Sequence, residues 1–169
     1  MARAAIQAGL VLAALAAGVA ACGYRLGSGA ALADGSHRLA VPVAENRTTE
    51  PWAGAHLTRA LRLEAERLGL QVAGEGQAPA LRARLLTLDA LPRAVAGYGG
   101  RFATREQEVR VVVELSLEGA TSGPLRLEER EGFLSAPDLR GTGANQRLAA
   151  RRALERLAAR AVERLLRTF

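Results

Sequence analysis

The chain has 169 residues, 49% of them hydrophobic and 24% charged, a balance that fits one folded domain and excludes a disordered tail or a multi-domain enzyme. A single cysteine excludes an intrachain disulfide, a cysteine zinc cluster and a CxxC redox pair, and 4% aromatic content removes the stacking platforms of single-stranded nucleic-acid modules. Every Lys/Arg position is Arg, 23 against 17 Asp and Glu; residues 22–143 are balanced, so the excess charge of the mature chain sits in 144–169.

Residues 1–21 carry one cation at Arg3, an apolar stretch from Ala8 to Val19 and small residues ahead of Cys22, the pattern of a secretory signal peptide. That stretch is too short to span a membrane comfortably. The run Val19-Ala20-Ala21-Cys22 resembles a bacterial lipobox, with Val19 where Leu is commoner, and it places the only thiol where lipid attachment needs one. Acylation would make Cys22 the first mature residue and a membrane anchor, each buried methylene contributing about 0.8 kcal/mol. An ordinary signal peptide with a free thiol is the alternative. Gly23 rather than Asp follows the cysteine, and resemblance to bacterial lipoproteins then implies onward transport to the outer membrane. Residues 22–36 are Gly- and Ala-rich without periodicity and are expected to be a flexible tether, which leaves 37–169 as the folded domain.

From His37 the pattern becomes regular. Leu39, Val41 and Val43 alternate with Arg38, Ala40, Pro42 and Ala44, which predicts a half-buried strand with an edge at Pro42. Thr49-Glu50-Pro51 reads as a helix start with a hydroxyl cap, an acid at the positive end of the dipole and a proline where its missing donor does no harm. Leu57, Leu61 and Leu68 with Ala53, Ala60 and Ala65 then give one apolar face, so a helix is expected from 51 to 68 with Gly69 as its stop. A short strand over 70–73 precedes a longer one over 80–91, whose alternation changes face near Leu85 as a β-bulge would require. Residues 92–101, with Gly97, Gly99 and Gly100 around Tyr98, read as a wide hairpin loop. Val109, Val111, Val113, Leu115 and Leu117 make the clearest strand, which turns through 120–124 into another running from Leu125 toward Leu134.

Residues 135–143 read as a loop, and the remainder is a helix with Leu154, Leu157, Ala158, Ala161, Val162, Leu165 and Leu166 on one arc. Arg152, Arg156, Arg160 and Arg164, four residues apart, form a ridge on the opposite side. The order of elements predicts an α+β fold, a two-layer sandwich of a mainly antiparallel four-stranded sheet with two helices on one face.

No catalytic constellation can be assembled. His37 borders the tether and His56 lies in the first helix, neither with a Ser or Cys nucleophile nearby in sequence, and no clustered spacing suits a metal. The matches Gly27-Ser28-Gly29, Gly97-Tyr98-Gly99 and Gly141-Thr142-Gly143 lack the third glycine of a nucleotide loop and read as turns. Asn46-Arg47-Thr48 fits a glycosylation sequon, which a bacterial lipobox makes meaningless.

Cys22-Gly23-Tyr24-Arg25-Leu26 resembles the opening of mature LPS-assembly lipoproteins of the LptE family, and the run LAVPVAENRTTEP from Leu39 to Pro51 is similar to that family's first strand and its Asn-x-Thr turn into the first helix. The later strands and the second helix are compatible in order and length, so the resemblance spans 22–169. It implies a small α/β sandwich anchored in the inner leaflet of the outer membrane, on the periplasmic side. Such a protein plugs the lumen of the LptD β-barrel, binds lipopolysaccharide and assists its passage to the cell surface, without cofactor or catalysis. A different envelope lipoprotein, serving a transport system as a substrate-binding or scaffolding accessory, is the other reading.

Guanidinium groups pair bidentately with phosphates and acidic sugars, which ammonium cannot do. Arg93, Arg101 and Arg105, at or beside the glycine-rich hairpin, are the preferred ligand contacts, with Tyr98 at its tip as a wedge into a partner or an acyl region. The ridge of Arg152, Arg156, Arg160 and Arg164 stays open between a solvated helix face, a match to acidic groups lining a barrel, and contact with lipid A. Trp52, in the first helical turn, is expected to cap the core.

Overall fold

The computed structural model describes residues 30–32, 34–98 and 101–168, with backbone alone for 94–98, 101–105 and 168. The signal segment, Cys22 and the glycines of 27–29 lie outside the described residues. The elements in chain order are β1 (Arg38–Ala40), β2 (Glu45–Asn46), α1 (Ala53–Arg67), β3 (Gln71–Ala73), β4 (Leu81–Tyr98), β5 (Arg101–Leu117), β6 (Leu125–Leu134) and α2 (Leu139–Thr168). A four-stranded sheet has the order β2-β4-β5-β6, parallel between β2 and β4 and antiparallel elsewhere, while β1 and β3 form a separate parallel pair. Both helices bury their apolar stripes against one face of the sheet, so the expected α+β sandwich is the architecture observed.

The first expected strand is instead divided between two sheets. Leu39 and Val41 are buried, but Pro42 breaks the ladder and Val43 is 74% exposed rather than facing the core. The break leaves main-chain groups without strand partners, and α1 supplies them. The Arg62 guanidinium donates from Nε and Nη2 to the Val41 carbonyl at 3.0 and 2.7 Å, and the buried Thr58 hydroxyl accepts from Ala44 N–H at 2.8 Å while donating to Gly54 O. Gly54 is needed here because a Cβ would stand 3.0 Å from Asn46 Cβ and 3.1 Å from Ala44 O. The expected Thr49 hydroxyl cap is not formed. α1 begins at Ala53 after Trp52, with no side-chain cap hydrogen bond, because Asn46 accepts from Thr48 N–H and donates to Glu50 O and so holds the approach as a turn. Gly69, at φ 90°, ends α1 as expected.

Ala53, Leu57, Leu61 and Ala65 of α1 meet Ala153, Leu154, Leu157, Ala161 and Leu165 of α2 above the inward residues of the sheet, Leu81, Ala83, Leu85 and Leu88 of β4 and Val109, Val111, Val113 and Leu115 of β5. The pairing shifts between Leu85 and Thr87, so Leu86 is the extra residue of the expected bulge. The wide loop expected over 92–101 is absent. β4 and β5 stay paired to Tyr98 opposite Arg101, and beyond Ala94 and Glu106, where β6 ends, they continue alone as a two-stranded ribbon about 15 Å long. α2 also starts earlier than expected, at Leu139, so Gly141 and Gly143 lie inside its first turns rather than in a loop, with Asp138 Oδ1 accepting from Gly141 N–H at 2.7 Å. Part of the expected tether is packed as well. Ala30 N–H donates to Leu68 O at the C-terminal end of α1, and Leu32 belongs to the core at 4% exposure.

Candidate functional site

The arginine ridge of α2 lies along β6. Leu127 and Phe133 of β6 face the core, and the residues between them on the same side of the strand are Glu129 and Glu131. Arg156 donates from Nε to Glu129 at 3.0 Å and from Nη2 to Glu131 at 2.6 Å, Arg160 donates to Glu129 at 2.5 Å, and Arg152 stands 3.9 Å from Glu131. Burial pulls the Arg156 guanidinium toward its neutral form, and its hydrogen bonds to Glu131 and Glu129 outweigh that and hold it firmly charged. The same side chains reach the main chain of the strand. Arg160 donates to Glu128 O at 3.2 Å, Arg156 to Arg130 O at 3.1 Å and Asn145 to Leu134 O at 2.9 Å. Three carbonyls of β6, those of Glu128, Arg130 and Leu134, are therefore occupied by donors from α2. Arg164 is exposed and has no carboxylate within 4 Å among the described residues.

The sheet face turned away from the helices carries charges of both signs that largely satisfy one another. Glu45 joins Arg47 and Arg84, Arg84 joins Glu114, and Glu128 is held between Arg110 and Arg130, with Arg130 also reaching Glu108. Hydrogen bonds from Arg110 and Arg130 hold the Glu128 carboxyl down at about 2. Val112, in the midst of this face, is apolar and only 1% exposed.

Arg93 stands at the base of the ribbon, exposed, and is not paired with a carboxylate within 4 Å among the described residues. Its Nη1 lies 3.5 Å from where Gly132 would carry a Cβ, and the two border a groove of about 260 Å³ with Glu106, Gln107, Phe133 and Leu134. A larger residue at 132 would fill the space over which this guanidinium lies. The backbone puts Tyr98 opposite Arg101 at the ribbon's end and Arg105 one position before the end of β6 pairing, while the side chains of all three lie outside the described residues. The backbone therefore gathers Arg93, Tyr98, Arg101 and Arg105 on one projection, away from the ridge.

Trp52 is partly buried against the core, as expected. Its Nε1 donates to Glu50 at 2.7 Å, its ring meets His56 edge-on at 6.0 Å, and Arg151 lies over it at 5.6 Å. His56 Nε2 is 3.3 Å from Glu155 across the two helices, beside a groove of about 410 Å³ whose lining holds no Ser, Thr or Cys. Among the described residues no group of His, Cys, Asp and Glu is placed to hold a metal, and no helix is long and apolar enough to cross a membrane. The acidic partners of the ridge were not anticipated from the sequence. The only signal for them was a pair of glutamates at core-facing positions between Leu127 and Phe133, where a strand normally places apolar residues.

The fold is that of several bacterial lipoproteins. The minor lipoprotein of Acinetobacter baumannii superimposes with a TM-score of 0.53 at 15% identity, covering 78% of this chain and 91% of its own. The rare lipoprotein B of Shewanella oneidensis gives 0.53 at 19% identity, with 78% and 95% covered, and the protein XCC0632 of Xanthomonas campestris 0.52 at 12%, with 78% and 84% covered. No curated protein matches the sequence. The model of the LptE lipopolysaccharide-assembly family matches residues 36–169, nearly the whole of the folded chain, and the protein belongs to that family.

Proposed function

We propose that the protein is an outer-membrane lipoprotein, acylated at Cys22, that plugs the LptD β-barrel from the periplasmic side and assists lipopolysaccharide on its way to the cell surface. The observation that carries this reading is the family match over 36–169. The lipobox at Cys22 and the following Gly23 supply the anchor and its destination. Within the plug, Arg93 with Arg101, Arg105 and Tyr98 forms the ligand-contacting projection. Arg93 keeps a guanidinium without a competing carboxylate among the described residues, which suits it to a phosphate. Three members of the α2 ridge are already engaged by Glu129 and Glu131, so an anionic ligand would have to displace them. Recognition of this kind binds and orients; no side chain is assigned a bond-making role.

Co-purification from detergent extracts tests the reading. The full-length lipoprotein is expected to elute with an outer-membrane β-barrel, and elution alone in the presence of abundant barrel would contradict it. Replacing the acylated thiol, Cys22→Ala, is expected to remove the acyl chains, as read by mass spectrometry, and to leave a folded protein with an unchanged melting temperature that still enters the barrel.

A further inference from the structure

We propose that the open edge of β4 from Thr87 to Leu91 receives an extended strand of a partner protein, cationic where it passes Asp89 and aliphatic where it passes Leu88 and Ala90. β2 accompanies β4 only at Arg84 and Leu85, and Arg47 N–H, which donates to Leu85 O at 3.0 Å, makes the last main-chain bond to that side of the strand among the described residues. Above it, Asp89 and Leu91 are exposed, and no other element among the described residues covers the edge. The run is bounded below by the bulge at Leu86 and above by Pro92, which has no N–H to offer, and by the irregularity at Arg93. Five residues of regular strand remain, paired with β5 on one side and turning the main-chain groups of alternate residues to the open side, a length suited to strand addition.

The opposite edge of the sheet cannot take this role, because Arg156, Arg160 and Asn145 occupy three carbonyls of β6. Charge selects the occupant. Asp89 faces Arg110 across the ladder, but that guanidinium donates to Glu128, which leaves Asp89 without an ion pair within 4 Å among the described residues. An incoming Arg or Lys would complete the row. A second copy of this chain would not, since two β4 edges paired by a two-fold axis bring two Asp89 carboxylates together. On the other face of the sheet Leu88 and Ala90 continue the apolar surface under the helices, so aliphatic side chains of the added strand extend the core. The inference rests on the plug reading only for the partner's identity, which that reading makes a loop or terminal segment of the barrel protein, since the strands of a closed barrel are paired with one another.

The test uses the full-length chain in cells, with the photocross-linker benzoylphenylalanine at Thr87 or at Leu91, and at Arg126 on β6 as the control. Both edge positions are expected to give adducts on one polypeptide, at sites about four residues apart in one extended segment, whereas any adducts from the exposed position 126 should be indifferent to Asp89→Arg. Asp89→Arg, which also sets a second guanidinium opposite Arg110 and so lowers the melting temperature slightly while the chain stays folded, should lower both edge adduct yields about tenfold. Adducts on one extended segment of a polypeptide other than a barrel would keep the edge as a strand site and remove the barrel as its partner. Edge adducts that are scattered, on lipid or on a second copy, or that are unaffected by Asp89→Arg, would overturn the proposal, as would their absence.

Discussion

The two edges of the sheet, β6 on one side and β4 beyond its short pairing with β2 on the other, are finished in opposite ways. β6 is overlaid by α2, whose arginines clasp Glu129 and Glu131 and reach the carbonyls of Glu128 and Arg130. β4 runs bare from Thr87 to Leu91, and Arg93 beyond it reaches across β5 to an open groove over Gly132. The residue type is the same on both sides, so charge alone does not say which arginines are available to a ligand. What decides is whether a carboxylate of the same chain stands opposite, and around β6 it does. A long basic helix, which in isolation looks like an anion-binding surface, is here an edge cover.

This contrast can be broken or sharpened by substitution. The largest effect is expected where α2 is seated. Leu157→Ala, at a fully buried position, should lower stability by about 2–5 kcal/mol in denaturant titration, because the cavity adds to the lost transfer energy. Glu129→Gln loosens the clasp without emptying the core. With both guanidiniums still near half exposed, a loss of about 1–2 kcal/mol is expected, and a neutral result would mean that the ridge is merely solvated. Arg93→Ala should change stability by less than about 0.5 kcal/mol, since it removes no ion pair.

Acid gives a further contrast. The carboxyl of Glu128 is held at about 2 against an ordinary value of 4.5, so its contribution is complete above pH 4.5 and is lost as the pH falls toward 2. In Glu128→Gln the part of the acid destabilisation that falls between pH 4.5 and 2 should shrink, as read by melting temperature.

The layers and the core were legible because they follow from periodicity. The stripe Leu154, Leu157, Ala161, Leu165 and the alternation Val109, Val111, Val113, Leu115 each repeat at the period of their element. The bulge near Leu85 was legible because it reverses that alternation. What failed depended on partners distant in sequence. Val43 continues the alternation of Leu39 and Val41 but points to solvent, because Pro42 ends the ladder and Arg62 and Thr58 take over the main chain from twenty-one and fourteen residues away. The glycines at 97, 99 and 100 suggested a loop, yet β4 and β5 stay paired through Gly97 as far as Tyr98 and Arg101, since glycine weakens a strand without forbidding it. Gly141 and Gly143 misled in the same way, as Asp138 caps a helix that contains them. Of the candidate site, the four-residue spacing of the ridge was visible, but its engagement was not, because Glu129 and Glu131 come from another element. The grouping of Arg93 with Arg101 and Arg105 was visible because all three lie within one hairpin.

The most direct measurement is the amount of lipopolysaccharide retained by the purified full-length protein and by two single variants, Arg93→Glu and Arg156→Gln. If the projection contacts the ligand and the ridge covers a strand edge, Arg93→Glu loses most of the bound lipopolysaccharide at an unchanged melting temperature, and Arg156→Gln keeps it while melting lower. Retention by Arg93→Glu together with loss by Arg156→Gln would contradict the account.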